Sequence, residues 1–235
     1  MKDEKKIHQY IHYNMSVFGG FLGAYAVLNR CDVLGNAQTS NLIHLAMDIL
    51  GRDVKQVIVR VIAMLLYMCG TMLTVVLPKY TKCNLHVLSV LIDIAAVIIL
   101  SFMPQSMNTV VALYPIFFAM AFQWNVFSDI CGYVSSTIFS TNNVRQMSIS
   151  LTRYICDGQR ADWVRAKFYA GVLLFFHIGV VISFIAWKKA GLNGIYMGFL
   201  PLATALALVC YEDGWLLDKI RLIQGKNILK KQEEQ

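Results

Sequence analysis

Two short polar runs sit between long apolar stretches: QTSNLI at 38–43 and STNNVR at 140–145. Aligned on Thr39 and Thr141, each reads Thr, a polar residue, Asn, then an aliphatic residue, about a hundred residues apart. Thr, Ser and Asn side chains accept hydrogen bonds from the free amides of a helix start. Such a start also carries partial positive charge and seats anions or dipoles. Thr39, Ser40 and Asn41, with Thr141, Asn142 and Asn143, are therefore candidate ligands of a small polar or anionic solute, and Arg145 adds a full positive charge. Each cluster heads a short helical pattern, too short to span a bilayer at about 1.5 Å per residue. Both are expected as re-entrant or interfacial half-helices, which polar surroundings must shelter. The same residues also fit plain caps of surface helices, or hydrogen-bonding glue between helices.

Other polar residues interrupt apolar runs. Asp93, in SVLIDIAAVII, is a carboxyl able to bind and release a proton, or a structural group bonded to a neighbour. In FQWNVFSD, Gln123 and Asn125 are candidate solute ligands, and Asn125, Asp129 and Ala121 share a helical face that would line a polar interior. His177 stands alone in its apolar segment and reads as a packing residue before a relay. Asp93, His177 and Ser148 are the only raw material for a catalytic group, and no nucleophile, zinc, phosphate-loop or dinucleotide motif accompanies them. No catalytic residue, metal ligand or cofactor is expected. The six cysteines form no Cys-x-x-Cys pair.

The elements that must position these residues are membrane helices. The chain is 57% hydrophobic and 15% charged, with mean hydropathy +0.54, where soluble domains carry about a quarter charged residues. Six apolar segments approach spanning length: 12–29, 57–77, 86–104, 108–129, 166–187 and 192–211. None alternates with period two, which argues against a β-barrel. A cleaved signal peptide fits the first segment poorly, because glycines interrupt it. Starting inside and crossing at each segment places most of the 21 Lys and Arg residues inside, so both termini are expected in the cytoplasm. Arg30, Arg52, Lys55, Arg60, Lys188 and Lys189 are the outside exceptions, Arg60 being able to snorkel. The four at 30–60 are the weak point, and a crossing by residues 39–50 would make the spans seven or eight. The net charge of +7 follows membrane topology and calls for no nucleic acid. Leu216, Leu217, Ile220 and Ile223 give residues 212–235 the pattern of an amphipathic, basic cytoplasmic tail.

The chain also resembles itself. FGGFLGAYAVLNRCDVLGNAQTSNLIHLAMDI and FAMAFQWNVFSDICGYVSSTIFSTNNVRQMSISL each carry a helix, a Gly-bearing break, a Thr-x-Asn cluster and a short helix, then two long apolar segments. Three spans per half is odd, so residues 1–105 and 106–211 would be oppositely oriented repeats, an architecture of transporters. Gly19, Gly20, Gly23 and Ala24 permit close helix packing, here expected between spans one and four. Pro115 and Pro201 are expected to kink spans four and six.

GNAQTSNLI resembles a variant of the Met-Thr-Gly-Asn signature of the YoaK-like family of bacterial membrane proteins, a family of unknown function. AFQWNVFSDICGYVSSTIFSTNNVRQ resembles its second signature more closely. Ser40 and Asn142 depart from it, standing where glycine is usual. The resemblance implies a multi-pass protein of the bacterial plasma membrane and no reaction. The expectation is an all-α integral membrane protein with six spans, arranged three plus three. It would act as a carrier or channel for a small polar or anionic solute, proton-coupled at Asp93. Its partners would be the bilayer and that solute, with self-association into a homo-oligomer compatible. A non-transporting scaffold, sensing or accessory protein is the alternative.

Overall fold

The computed structural model describes residues 2–30, 35, 37–130 and 132–214, with side chains from Lys6 onward. The basic tail beyond 214, Cys31 and Cys131 lie outside the described residues. The other four cysteines carry free thiols. The fold is helical: α1 Lys2–Asn29, α2 Gln38–Leu50, α3 Val54–Tyr80, α4 Leu85–Ser101, α5 Tyr114–Val126, α6 Thr141–Asp157, α7 Arg160–Ala190 and α8 Phe199–Glu212. Between α5 and α6 lies a minimal antiparallel hairpin, β1 Asp129–Ile130 and β2 Tyr133–Val134, pairing Asp129 with Val134.

Two helical stretches among the described residues are long and apolar enough to cross a membrane, Val54–Tyr80 and Arg160–Glu212. The most apolar window of α3 is only 11% buried within the protein, and Ile58, Ile62, Leu65, Met68, Met72 and Val75 stand exposed along it. An apolar surface of this extent suits contact with a membrane or with another protein. The segments expected at 86–104 and 108–129 are shorter apolar helices, Leu85–Ser101 and Val111–Val126. Length and apolarity alone thus support two spans rather than six.

Local chemistry explains several boundaries. Asn84 caps α4, its side-chain oxygen accepting from the amides of His86 and Val87. Pro115 occupies the first turn of α5, where its missing N–H costs nothing, so it starts a helix rather than kinking one. Pro201 likewise sits in the first turn of α8, after a 3-10 turn at Gly191–Gly198. Buried Arg30 donates to the carbonyls of Met103 and Pro104 just beyond α4, where its charge complements the helix's negative end.

The main packing runs between distant helices. α1 lies on α7 and α8, α5 on α3 and α4, α2 on α3, α6 on α7, and α4 meets α8. The partner of α1's glycines is therefore not α5, as expected from the pairing of spans one and four. A Cβ on Gly20 would lie 2.0 Å from the carbonyl oxygen of Phe176, and one on Gly179 would lie 1.9 Å from that of Val17. Only glycine permits such an approach of two backbones. On the other pair, a Cβ on Gly70 of α3 would lie 2.6 Å from the Phe118 carbonyl oxygen of α5.

Replacing Gly179 by alanine is expected to destabilise the protein by about 3 kcal/mol, an overpacking cost against rigid backbone. Gly158, a left-handed helix cap at φ +67° with open space around it, is expected to accept asparagine within about 1 kcal/mol. Unfolding of both variants in detergent, followed by circular dichroism, checks the contrast.

Candidate functional site: a buried polar break between α5 and α6

The residues between the hairpin and α6 read SSTIFS, and the chain buries them. Ser135, Ser136, Thr137 and Ile138 are each no more than 2% exposed. A loop inside a protein must find partners for its polar groups, and this one finds them on α1, α5 and α6. Asn143, one turn into α6, is the hub. Its Oδ1 accepts from the Ser135 hydroxyl at 3.0 Å and the Ser136 amide at 3.2 Å. Its Nδ2 donates to the carbonyls of Ser136 at 2.7 Å and Phe139 at 3.0 Å. The Ser136 hydroxyl oxygen accepts from the amides of Ile138 and Phe139.

The Ser135 proton is thus committed to Asn143, so the 2.9 Å contact between Ser135 Oγ and His12 Nε2 of α1 assigns the donor to His12. Ser16 donates to the His12 carbonyl. Gln123, near the end of α5, donates to Thr137 Oγ1 at 2.8 Å and to the Met15 carbonyl at 3.3 Å. Gly19 completes the seat: a Cβ there would stand 2.2 Å from the Thr137 carbonyl oxygen. One strand of polar loop is therefore laid directly on α1.

Several buried polar atoms remain without partners. Gln123 Oε1, both carboxyl oxygens of Asp93 and the Ser89 hydroxyl have none. Ser89 and Asp93 lie one turn apart on the buried face of α4, which packs on α5.

The sequence candidates divide. Gln123 and Asn143 meet at the loop. Thr39 and Thr141 do not: both are exposed, and neither caps a helix. The cap positions are Ala37 and Ser140, and neither makes a side-chain capping bond. Among the described residues no hydrogen bond joins the two clusters. Ser40 contacts only His44 of its own helix. Asn41 is buried and donates to Gln38 and to the Arg60 carbonyl, fixing α2 on α3. Arg60 pairs with Asp48 at 2.6 Å. Asn142 donates to the Val134 carbonyl, and Arg145 is exposed. Asn125 bridges α5 to Thr71 of α3, whereas Asp129 has left the helix and caps the hairpin turn at Gly132. His177 and Ser148 are exposed while Asp93 is wholly buried, so these three do not converge.

A model of the family described as Protein of unknown function (DUF1275) matches residues 11–210. The chain is a member of the DUF1275 family. No curated protein and no solved structure matches it. The matched region of this DUF1275 member contains the whole polar break, from His12 of α1 to Asn143 of α6.

Sequence reasoning missed His12, Ser135, Ser136 and Thr137. The signal was the run SSTIFST directly before Asn143, too polar for the apolar sequence around it. It also missed a cluster at the same end of the helices. Glu212 of α8 lies 3.0 Å from His8 and 3.5 Å from His86, close in distance though not aligned for strong hydrogen bonds. His12 and Asp129 line the small cavity beside them, about 20 Å³, room for about one water.

Asn143→Ala would strip partners from four polar groups at once and is expected to cost about 3 kcal/mol. Thr39→Ala and Thr141→Ala, at exposed positions, are expected to stay within about 0.5 kcal/mol of the parent. Denaturant unfolding in detergent distinguishes the two classes.

Proposed function

We propose that the chain is a multi-pass membrane carrier for a small polar or anionic solute, with Asp93 as its proton-coupling group and without catalysis. The observation that carries this reading is the break between α5 and α6. There a polar loop runs inside the protein, while Gln123 Oε1 and the Asp93 carboxyl, on adjoining helices, lack partners. Irregular polar backbone at membrane depth is tolerated where protein or a water-filled cavity surrounds it, and transporter sites are built that way. Unpartnered buried polar atoms are costly, and a passing solute or ion would satisfy them. The proposed solute seat is accordingly Gln123 with the loop, and Thr39, Thr141 and Arg145 drop out of it.

Six spans, both termini in the cytoplasm and oppositely oriented halves belong to the same proposal. The helix neighbours support it. Exchanging α1–α4 with α5–α8 turns the α1–α7 contact into α5–α3, α2–α3 into α6–α7, and α1–α8 into α5–α4, while α4–α8 maps on itself. The glycine contacts follow the same exchange, Gly179 on Val17 matching Gly70 on Phe118. Such an exchange is what two related halves packed about a two-fold axis give, and it supports reading them as a repeat with four helices per half, of which one is short. A place among the YoaK-like proteins of the bacterial plasma membrane fits the same architecture.

A second reading, a non-transporting scaffold or accessory protein, is favoured by the full hydrogen bonding of Asn143, which suits a static element. Uptake of a solute panel into proteoliposomes separates the two. Carrier function predicts that Asp93→Asn and Gln123→Ala each lower flux by about tenfold or more at unchanged insertion, the loss of roughly one strong contact. Thr39→Ala and Thr141→Ala should keep it. Absence of flux for every solute tried, with a protein co-purifying instead, would establish the scaffold.

A further inference from the structure

The groups beside the polar break also restrict which solute they can take. Their depth comes first. The start of α4 lies against the end of α5, where the His86 and Phe127 rings stack at 5.0 Å. At about 1.5 Å per residue, Ser89 stands about 4.5 Å inward of that stack, Gln123 about 6 Å and Asp93 about 10.5 Å. All three are fully buried, so roughly one helical turn of depth holds them.

What these residues leave open is acceptor capacity. The atoms without partners are Ser89 Oγ, both carboxyl oxygens of Asp93 and Gln123 Oε1. The side-chain amide donors nearby are engaged. Those of Gln123 go to Thr137 Oγ1 and the Met15 carbonyl. Those of Asn143 go to the carbonyls of Ser136 and Phe139, and those of Asn125 to the Ala121 carbonyl and Thr71. Of the four open atoms, only Ser89 Oγ has a proton to give when Asp93 is ionised.

Fixed charge points the same way. α4, α5 and α8 contain no lysine or arginine, and α1 contains none after Lys6. Buried Arg30, at the other end of α1, is about 22 Å from Met15 by the same helical rise, and the Met103 and Pro104 carbonyls occupy it. Arg165 of α7 lies over the Tyr133 and Tyr169 rings, 5.6 and 6.0 Å from their centres. His12 is turned to Ser135. An anion entering here would lose its water, meet the Asp93 carboxyl and find no fixed cation on α4 or α5, and a buried anion without a partner is costly.

We propose that the solute taken at Gln123 and Asp93 is a hydrogen-bond donor, uncharged or cationic, and not an anion. This rests on the carrier reading and narrows its solute. An O–H or N–H group satisfies Gln123 Oε1 and the Asp93 oxygens, which an anion's acceptor oxygens cannot do. Two sources share this chemistry: the hydroxyls of a polyol and the ammonium group of an alkylamine. With the ammonium, Asp93 forms a charge-assisted hydrogen bond.

The test uses the full chain, in detergent for thermal stability and in proteoliposomes for flux, with mannitol, putrescine, tetramethylammonium and oxalate as probes. Mannitol and putrescine are donors, tetramethylammonium is a cation without an N–H, and oxalate offers acceptors only. A donor is expected to stabilise the protein and to move about tenfold faster than oxalate or more, the worth of one strong hydrogen bond. Response to mannitol identifies a polyol, and response to putrescine over tetramethylammonium identifies an alkylammonium. Gln123→Ala should weaken either donor about tenfold, and Asp93→Asn should weaken putrescine by as much. Arg145→Gln, at an exposed position outside the seat, should change nothing. Oxalate moving as fast as the donors overturns the inference and leaves the carrier reading standing. So does tetramethylammonium matching putrescine while mannitol is silent, or donor binding that neither Gln123→Ala nor Asp93→Asn weakens. No response to any probe, in stability or in flux, overturns the inference and the carrier reading together.

Discussion

Everything else in the fold depends on how closely α1 lets other backbones come. Gly19 admits the Thr137 carbonyl, and its neighbour Gly20 admits the Phe176 carbonyl of α7. Gly179 of α7 returns the contact at the Val17 carbonyl. Among apolar helices in lipid, burial of apolar surface gives little drive for association, because lipid tails are as apolar as leucine. Close packing and interhelical hydrogen bonds take its place, and both require that no Cβ intervene. A side chain at Gly19 would expel the loop, and one at Gly20 or Gly179 would part α1 from α7. The hydrogen bonds of His12 and Gln123 to the loop reach their partners only because the backbones have already met.

The loop shows how a polar segment survives in such surroundings. Asn143 offers two donors and an acceptor oxygen with two lone pairs, and all four capacities are used within one turn of chain. An aspartate would lose the two donors, and a leucine of similar volume would leave two carbonyls, an amide and a hydroxyl in an apolar interior. The contrast with α4 is instructive. Ser89 and Asp93 are equally buried and have no partners, although one polar neighbour would have sufficed. Asn143 thus holds its loop through four hydrogen bonds, while Ser89 and Asp93 carry the desolvation cost of burial without any.

The apolar periodicity of the sequence located the long helices well, because a run of about 20 apolar residues has few other physical uses. It could not decide how many of them cross a membrane: segments 86–104 and 108–129 end early as helices, at Ser101 and Val126. The Thr-x-Asn clusters were legible as important but misread in mechanism. Helix capping is a local rule, so it singled out Thr39 and Thr141. The side chains that matter are Asn41 and Asn143, whose chief partners belong to a neighbouring helix in the first case and a preceding loop in the second. His12 was unreadable for the same reason. Its partner Ser135 is remote in sequence, and the pair His8 and His12, one helical turn apart, matches no metal or catalytic motif. The cluster of His8, His86 and Glu212 draws on three helices, and no motif spans it.

The hairpin lies between an aromatic-lined cavity and the buried loop. On one side, Ile130 and Tyr133 line that cavity. On the other, Val134 leads directly into Ser135 and the buried loop, while its carbonyl accepts from the Tyr169 hydroxyl of α7 and from Asn142 of α6. Only one residue thus separates a cavity wall from the serine that holds His12. Through Tyr169 and Asn142 the Val134 carbonyl ties the strand to α7 and α6, so the entry to the buried loop is fixed from outside as well as by Asn143 within.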